Sequence, residues 1–300
     1  MTYELTQPRE PALGGRSSLP LALRRMRRRV SRQVAWLTES FFGTPLGRWA
    51  HRRLQEQLEV AVEAPELTTQ GVRWPTIAFL SDLHAGHYMT GADLSARARL
   101  LDSLEPDLVV LGGDLVNVRL EELGHLDEAL KILKRAPLGL FAVPGNHDYV
   151  EPEDLDPWVR HLEARGVVVL RNRGLRITHG GASFWVCGVD DLTEGRPDVP
   201  QALTGRQPGE PTALFSHHPD VFDVAARHGV HLQVSGHTHG GQIRLLGWAP
   251  ISHSARGYVS GWHAAGDARL YVSRGAGVSL LPVRVDASPE ITLLRPRSRS

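Results

Sequence analysis

Five short apolar runs in this chain of 300 residues end in the same way. "TIAFL" runs into "SDLH" with Asp82 and His84, "DLVVL" into "GGDLVN" with Asp114, and "LGLFAV" into "PGNHD" with Asn146, His147 and Asp148. "TALF" leads to "SHHP" with His217 and His218, and "HLQV" to "SGHTHGG" with His237 and His239. Apolar runs of this length, bounded by glycine and proline, read as buried strands. In an open α/β sheet the carboxyl ends of the strands line one edge, and ligands bind at that edge. Turn chemistry alone would supply Ser, Thr, Pro and Gly at such ends. Five ends that each supply Asp, Asn or His imply a shared task instead.

Between the first runs lie amphipathic stretches, "ADLSARARLLDSL" and "LEELGHLDEALKILKR", that read as helices. This alternation, from Trp74 onward, implies an α/β fold with parallel strands joined by crossovers. The later runs "GVVVL", "LRITHGG", "SFWVCGV" and "RLYVS" follow one another more closely, which implies a second sheet packed on the first. We assign residues 73–296 to one catalytic domain and 297–300 to a tail.

The front of the chain differs in texture. Residues 1–18, rich in Gly, Pro and Ser, read as a disordered start, and residues 19–72 as a basic helical extension. Leu19, Leu23, Met26, Val30, Val34, Leu37 and Phe41 recur at steps of three and four, with Arg24, Arg25, Arg27, Arg28, Arg29 and Arg32 off that stripe. A second helix is expected across "FFGTPLGRWAHRRLQEQLEV". The formal net charge of +1 hides an asymmetry, since the first 60 residues hold eleven arginines against five glutamates. Two placements suit such a helix: peripheral contact with an anionic membrane through residues 19–42, or packing on the domain with the arginines in solvent. No interleaved aromatic or recognition pattern accompanies the charge, so no nucleic acid partner is expected. No apolar run reaches the roughly eighteen residues of a spanning helix. The apolar run after the arginines is broken by Arg32, Gln33 and Glu39 and lacks a small-residue cleavage site. A cytoplasmic protein, either free or peripheral on the inner face of the membrane, is therefore expected ahead of twin-arginine export.

The single cysteine, Cys187, excludes a disulfide framework and a multi-thiolate zinc site, and its apolar setting reads as a buried small side chain. Any metal must therefore use oxygen and nitrogen. Carboxylate, amide oxygen and imidazole together suit manganese, iron or zinc. Asp82, His84, Asp114, Asn146, His217, His237 and His239 are too many for one tetrahedral site, but two divalent ions sharing one carboxylate would use them all. Two metals about 3.5–4 Å apart lower the pKa of a common water and clamp the attacking and leaving oxygens of an in-line displacement. Asp82 with His84, and His237 with His239, are two residues apart, which in extended backbone places both side chains on one face.

The five blocks, Asp82-Leu83-His84, Gly113-Asp114, Gly145-Asn146-His147-Asp148, His217 and Gly236-His237-Thr238-His239, resemble in order those of the calcineurin-like metallophosphoesterase superfamily, over residues 74–296. The resemblance implies a four-layer α/β/β/α sandwich with a dinuclear centre along one edge. It implies that Asp82, His84 and His239 hold one metal, that Asn146, His217 and His237 hold the other, and that Asp114 bridges them. His147 would contact the phosphate and protonate the leaving alkoxide, with Asp148 orienting its imidazole. The choice of His217 over His218 follows from block position alone.

"GHTHGGQIRL", "SHHPD" and the tail "GAGVSLLPVRVDASPEITLL" resemble a bacterial single-domain branch that includes relatives of UDP-2,3-diacylglucosamine hydrolases. The expected activity is hydrolysis of a phosphodiester or pyrophosphate bond in a phosphoester substrate. That substrate is either lipid-linked, such as UDP-2,3-diacylglucosamine, or a soluble nucleotide phosphoester or cyclic nucleotide. A non-catalytic metal-binding scaffold is disfavoured because all seven ligand positions and His147 carry the expected types. A purple phosphatase is disfavoured because "GGDLVNV" places no tyrosine beside Asp114. His87, Tyr88, Arg196 and Arg244 are candidates for phosphate or head-group contact, the alternative being ordinary loop polarity.

Overall fold

The computed structural model describes residues 58–63, 73–151, 154–244, 253–278 and 283–295, with isolated positions between 26 and 49. The expected disordered start and the tail lie outside the described residues, as does most of the basic extension.

Twelve strands are described: β1 (Glu59–Glu63), β2 (Ile77–Leu80), β3 (Leu108–Leu111), β4 (Leu140–Ala142), β5 (Val168–Val169), β6 (Arg173–His179), β7 (Ala182–Gly188), β8 (Thr212–Phe215), β9 (Leu232–Ser235), β10 (Gly261–Ala265), β11 (Ala268–Val272) and β12 (Glu290–Leu294). They form two six-stranded sheets, ordered β1-β12-β2-β3-β4-β5 and β10-β11-β9-β8-β7-β6. β2 to β5 run parallel, as do β7, β8, β9 and β11. Antiparallel pairing joins β12 to β2, β6 to β7 and β10 to β11.

β2, β3 and β4 are apolar on both faces because both faces are covered. In β2, Ile77 and Phe79 face the second sheet while Ala78 and Leu80 face the outer helices. Phe79 stacks on Phe215 of β8 across the inter-sheet core, with ring centroids 6.3 Å apart. Helices α1 (Gly91–Ser103), α2 (Asp127–Leu133) and α3 (Asp156–Glu163) cover the first sheet through Leu94, Leu101, Leu130, Trp158 and Leu162. The shorter α4 (Val199–Ala202) and α5 (Phe222–Arg227) cover the second through Val199, Ala202 and Val224. The result is the expected four-layer α/β/β/α arrangement. Cys187 is fully buried on the α4 side, and burial pushes its thiol up.

Two local expectations are corrected. Glu59 and Val60, read above as the end of a second helix, and residues 61–63, placed in the helical extension, form β1, which pairs in parallel with β12. "EVAVE" puts Val60 and Val62 on one face and Glu59 and Glu63 on the other, the strand period of two, and Arg274 holds Glu59 at 2.6 Å. The first sheet therefore takes its β1 edge from near the front of the chain and β12 from near its end. The run from Leu120 to Arg135, read as one helix, divides into a tight 3₁₀ segment, Leu120–Leu126, followed by α2. Gly124 weakens it as a helix, and the Glu122 side chain turns back onto the preceding backbone amides.

Candidate metal centre

β2, β3 and β4 are neighbours in one sheet and β8 and β9 in the other, so the five polar strand ends meet at one edge of the sandwich. Backbone pairing continues past the strands: Asp82 N donates to Gly113 O at 3.0 Å and His84 N to Asp114 O at 3.0 Å. The two sheets are tied together at the site itself, since His237 N donates to both carboxylate oxygens of Asp82, at 3.1 and 3.2 Å. Glycine is required where these loops touch. At Gly113, φ is +87° and a Cβ would come within 2.8 Å of His217 Nδ1; at Gly236 a Cβ would overlap the Asp82 carboxylate.

The expectation that Asp82/His84 and His237/His239 converge through extended backbone is corrected. φ is +55° at Asp82, +45° at His84, +52° at Asp114, +72° at His237 and +51° at His239. All five lie in the left-handed region, which costs a non-glycine residue about 1–3 kcal/mol and is most accessible to Asn, Asp and His. A left-handed residue bends the chain sharply, so each strand end folds over and directs its side chain inward. This strain recurs at five converging positions, which marks the region as functional rather than merely packed.

The donor atoms lie close together. His84 Nε2 and His239 Nε2 are 3.1 Å apart, and His239 Nε2 is 3.4 Å from Asp82 Oδ1. His237 Nδ1 is 3.2 Å from His217 Nε2, whose ring is anchored by Nδ1 at 2.9 Å from Gly112 O. His147 N donates to Asp114 Oδ1 at 2.8 Å, leaving Oδ2 facing His84 Nε2 at 3.7 Å and His217 Nε2 at 3.3 Å. One carboxylate oxygen thus looks toward imidazoles of both clusters. Asn146 is half-buried between Gly145 and His147 on the β4 loop.

Burial pushes His84 down to about 3 and holds His237 and His239 well below the ordinary imidazole value. These rings are neutral at physiological pH and offer lone pairs. Burial alone would raise Asp114, but the neighbouring His217 and His147 hold its carboxyl well below the usual range. Burial pushes Asp82 up. Neutral nitrogens facing each other at 3.1 Å, with a carboxylate alongside, suit a shared cation. Two ligands about 2.1 Å from one ion stand about 3.0–3.4 Å apart in octahedral or tetrahedral geometry. Asp82, His84 and His239 form one such group, and Asp82, Asp114 and His217 another. The donor set therefore fits divalent metal.

His218, like His237, falls in none of the close donor groups of the described residues; its Nδ1 accepts from Asp220 N at 3.2 Å, capping the turn before α5. The His147 imidazole is held by Asn117 O, 2.7 Å from Nδ1. Asp148 has a different role from the one expected. Its carboxylate accepts from the amides of Asp114, Leu115 and Gly145 at 2.9, 2.8 and 2.9 Å, and more weakly from Val116. It clamps the loop that carries Asp114 and does not orient the His147 ring. Burial and the Asp114 charge push its carboxyl up to about 7 while the amides pull the other way. Tyr88 is buried at 4% exposure, whereas His87 and Arg196 are exposed. Arg244 is half-buried, its amide donating to Val285 O.

Arg284 escaped the reading of the sequence as a site residue. Buried at 6% exposure, it donates to the carbonyls of Gly275, Gly277, His239 and Ala287, and its Nη2 lies 3.2 Å from His239 Nδ1. The residue belongs to the "PVRVDASPEI" tail, and only the folded chain brings that tail behind His239.

The calcineurin-like phosphoesterase family model matches residues 75–241. The chain is 32% identical over 227 residues to the metallophosphoesterase YkuE of Bacillus subtilis, covering 74% of this chain and 79% of that one. It is 32% identical to the phosphodiesterase YaeI of Escherichia coli, covering 73% and 80% of the two chains. A transmembrane protein with a metallophosphoesterase domain from Bos taurus is 33% identical over 73% of this chain, which spans about half, 52%, of that relative. Among the described residues no helix is long and apolar enough to cross a membrane. The fold, the converging His and Asp donors and these similarities together make the chain a metal-dependent phosphoester hydrolase of the calcineurin-like metallophosphoesterase family.

Proposed function

We propose that the chain hydrolyses a phosphodiester or pyrophosphate bond at a dinuclear centre. In this reading Asp82, His84 and His239 hold one divalent ion, Asn146, His217 and His237 the other, and Asp114 lies between them. The observation that carries it is Asp114 Oδ2, which faces His84 Nε2 on one side and His217 Nε2 on the other. Manganese, iron or zinc suit these donors. Divalent ions bound there supply Lewis acidity that lowers the pKa of water and offsets phosphoryl charge. The chain's own residues do the rest. His147 N fixes one Asp114 oxygen, so the other is committed to the centre. The His147 ring, with Nδ1 against Asn117 O, keeps Nε2 for delivery of a proton to the departing oxygen.

Chelation is expected to abolish hydrolysis of bis-nitrophenyl phosphate, and readdition of manganese, iron or zinc to restore it. Full turnover by protein shown to be metal-free would sink the proposal. A panel of that ester, a cyclic nucleotide and a nucleotide-diphospho-lipid then separates the soluble from the lipid-linked substrate.

The lipid-linked reading is favoured by one observation. Met26, Val30 and Leu37, at helical positions four and seven residues apart, are 56%, 51% and 60% exposed. Apolar residues at these intervals share one helix face, and with the flanking arginines they suit an anionic lipid surface. The full chain is expected to co-sediment with anionic vesicles and a variant lacking residues 1–45 to remain in the supernatant. Equal sedimentation of the two would remove this helix as a membrane contact, and with it the observation that favours a lipid-linked substrate.

A further inference from the structure

Glu122 stands outside the ligand groups, buried at 6% exposure in the 3₁₀ segment after the Asp114 loop. Its Oε2 accepts from three successive amides, Asn117 at 2.8 Å, Val118 at 2.9 Å and Arg119 at 3.0 Å. Successive amides converge on one oxygen only when the backbone curls around it, as in an anion-binding nest. Here the anion belongs to the chain itself. Its other oxygen abuts the loop after His84, since a Cβ on Gly86 would lie 3.2 Å from Oε1.

The curl has a consequence across the site. It holds the peptide of Asn117, whose carbonyl oxygen receives His147 Nδ1 at 2.7 Å. A carbonyl can only accept, so this bond keeps a proton on Nδ1 whatever the charge of the ring and turns Nε2 toward the reaction, where the doubly protonated ring gives up its second proton and returns to the Nδ1–H tautomer. We infer that Glu122 is a positioning residue: its carboxylate shapes residues 117–119 so that the Asn117 carbonyl fixes the tautomer and direction of the His147 imidazole. The inference rests on His147 being the proton donor to the leaving group, and Glu122 itself touches no reacting atom.

Aryl phosphodiesters provide the test, because a nitrophenolate leaves without help whereas an unsubstituted phenolate gains from a proton. His147→Ala is expected to steepen the dependence of kcat/KM on leaving-group acidity. Glu122→Gln is expected to steepen it in the same direction, losing about 10–100-fold on the phenyl ester, the usual effect of removing a supporting partner, with much less loss on the nitrophenyl ester. Metal content is expected to be unchanged. The double variant is expected to be no slower than His147→Ala alone, as for residues acting as a unit. In the metal-free protein, ¹H–¹⁵N spectra of the His147 ring are expected to show the Nδ1–H tautomer in the parent and a mixture in Glu122→Gln.

An unchanged leaving-group dependence in His147→Ala overturns the proton-donor reading and the inference with it. A steepened dependence there, combined with equal losses on both esters in Glu122→Gln or additive losses in the double variant, overturns the inference alone. If Glu122→Gln does not fold, Glu122→Asp, which keeps the charge and withdraws it by one methylene, is read by the same criteria.

Discussion

Asp114→Asn is expected to lose bound metal and to lower turnover by roughly two to four orders of magnitude. The carboxylate is buried, with His84 Nε2 and His217 Nε2 both facing Oδ2. Asparagine keeps the shape but removes the charge, and if its NH₂ occupies the Oδ2 position it presents a donor to the centre. Removing one member of a buried charge pair costs about 3–5 kcal/mol, and each 1.36 kcal/mol is tenfold in an equilibrium. Metal analysis of purified protein beside kcat/KM for bis-nitrophenyl phosphate is the measurement. Retention of full metal content would mean that Asp114 is not shared between the ions.

His147→Ala is expected to lower turnover of an ester with a poor leaving group by about 10²–10⁴-fold, the usual range for a general acid, while leaving metal content intact. Its ring lies edge-on to His84, with centroids 4.7 Å apart, yet Nδ1 is already committed to Asn117 O. His147 also falls in a group with His84 and Asp114 whose donor atoms lie within 4.8 Å of one another, so the contrary outcome has a structural basis. If His147→Ala loses as much metal as Asp114→Asn, His147 is a ligand. The backbone role of this residue is preserved in the variant, since its amide still donates to Asp114 Oδ1.

The sandwich was legible in the sequence because burial writes itself into residue choice. β2, β3, β8 and β9 are covered on both faces, so β2 and β3 are continuously apolar, β8 and β9 add only Thr212, Gln233 and Ser235 as polar residues, and all four end abruptly where the chain reaches the edge. β1, β10 and β12 were not read as strands. Among the described residues β1 and β10 lie at sheet edges, with a strand partner on one side alone, and the apolar signal is diluted, as in "EVAVE" and "GWHAA". β12 is fully buried, but its partners β1 and β2 come from far away in the chain, and periodicity carries no information about such pairing.

The candidate site divides in the same way. The residue types at the five strand ends, their order and their glycine neighbours are properties of the sequence, and they determined the family and the donor chemistry. How the donors converge was decided by the tertiary structure. The left-handed backbone at Asp82, His84, Asp114, His237 and His239 is strained and is held only because loops from both sheets bind one another, as when His237 N meets the Asp82 carboxylate. The partner of the His147 ring, the clamp made by Asp148 and the approach of Arg284 behind His239 also join groups distant along the chain. Local pattern reports what each segment buries and where it ends. Which polar atoms then face one another depends on how the two sheets pack, and that is settled only when the whole core closes.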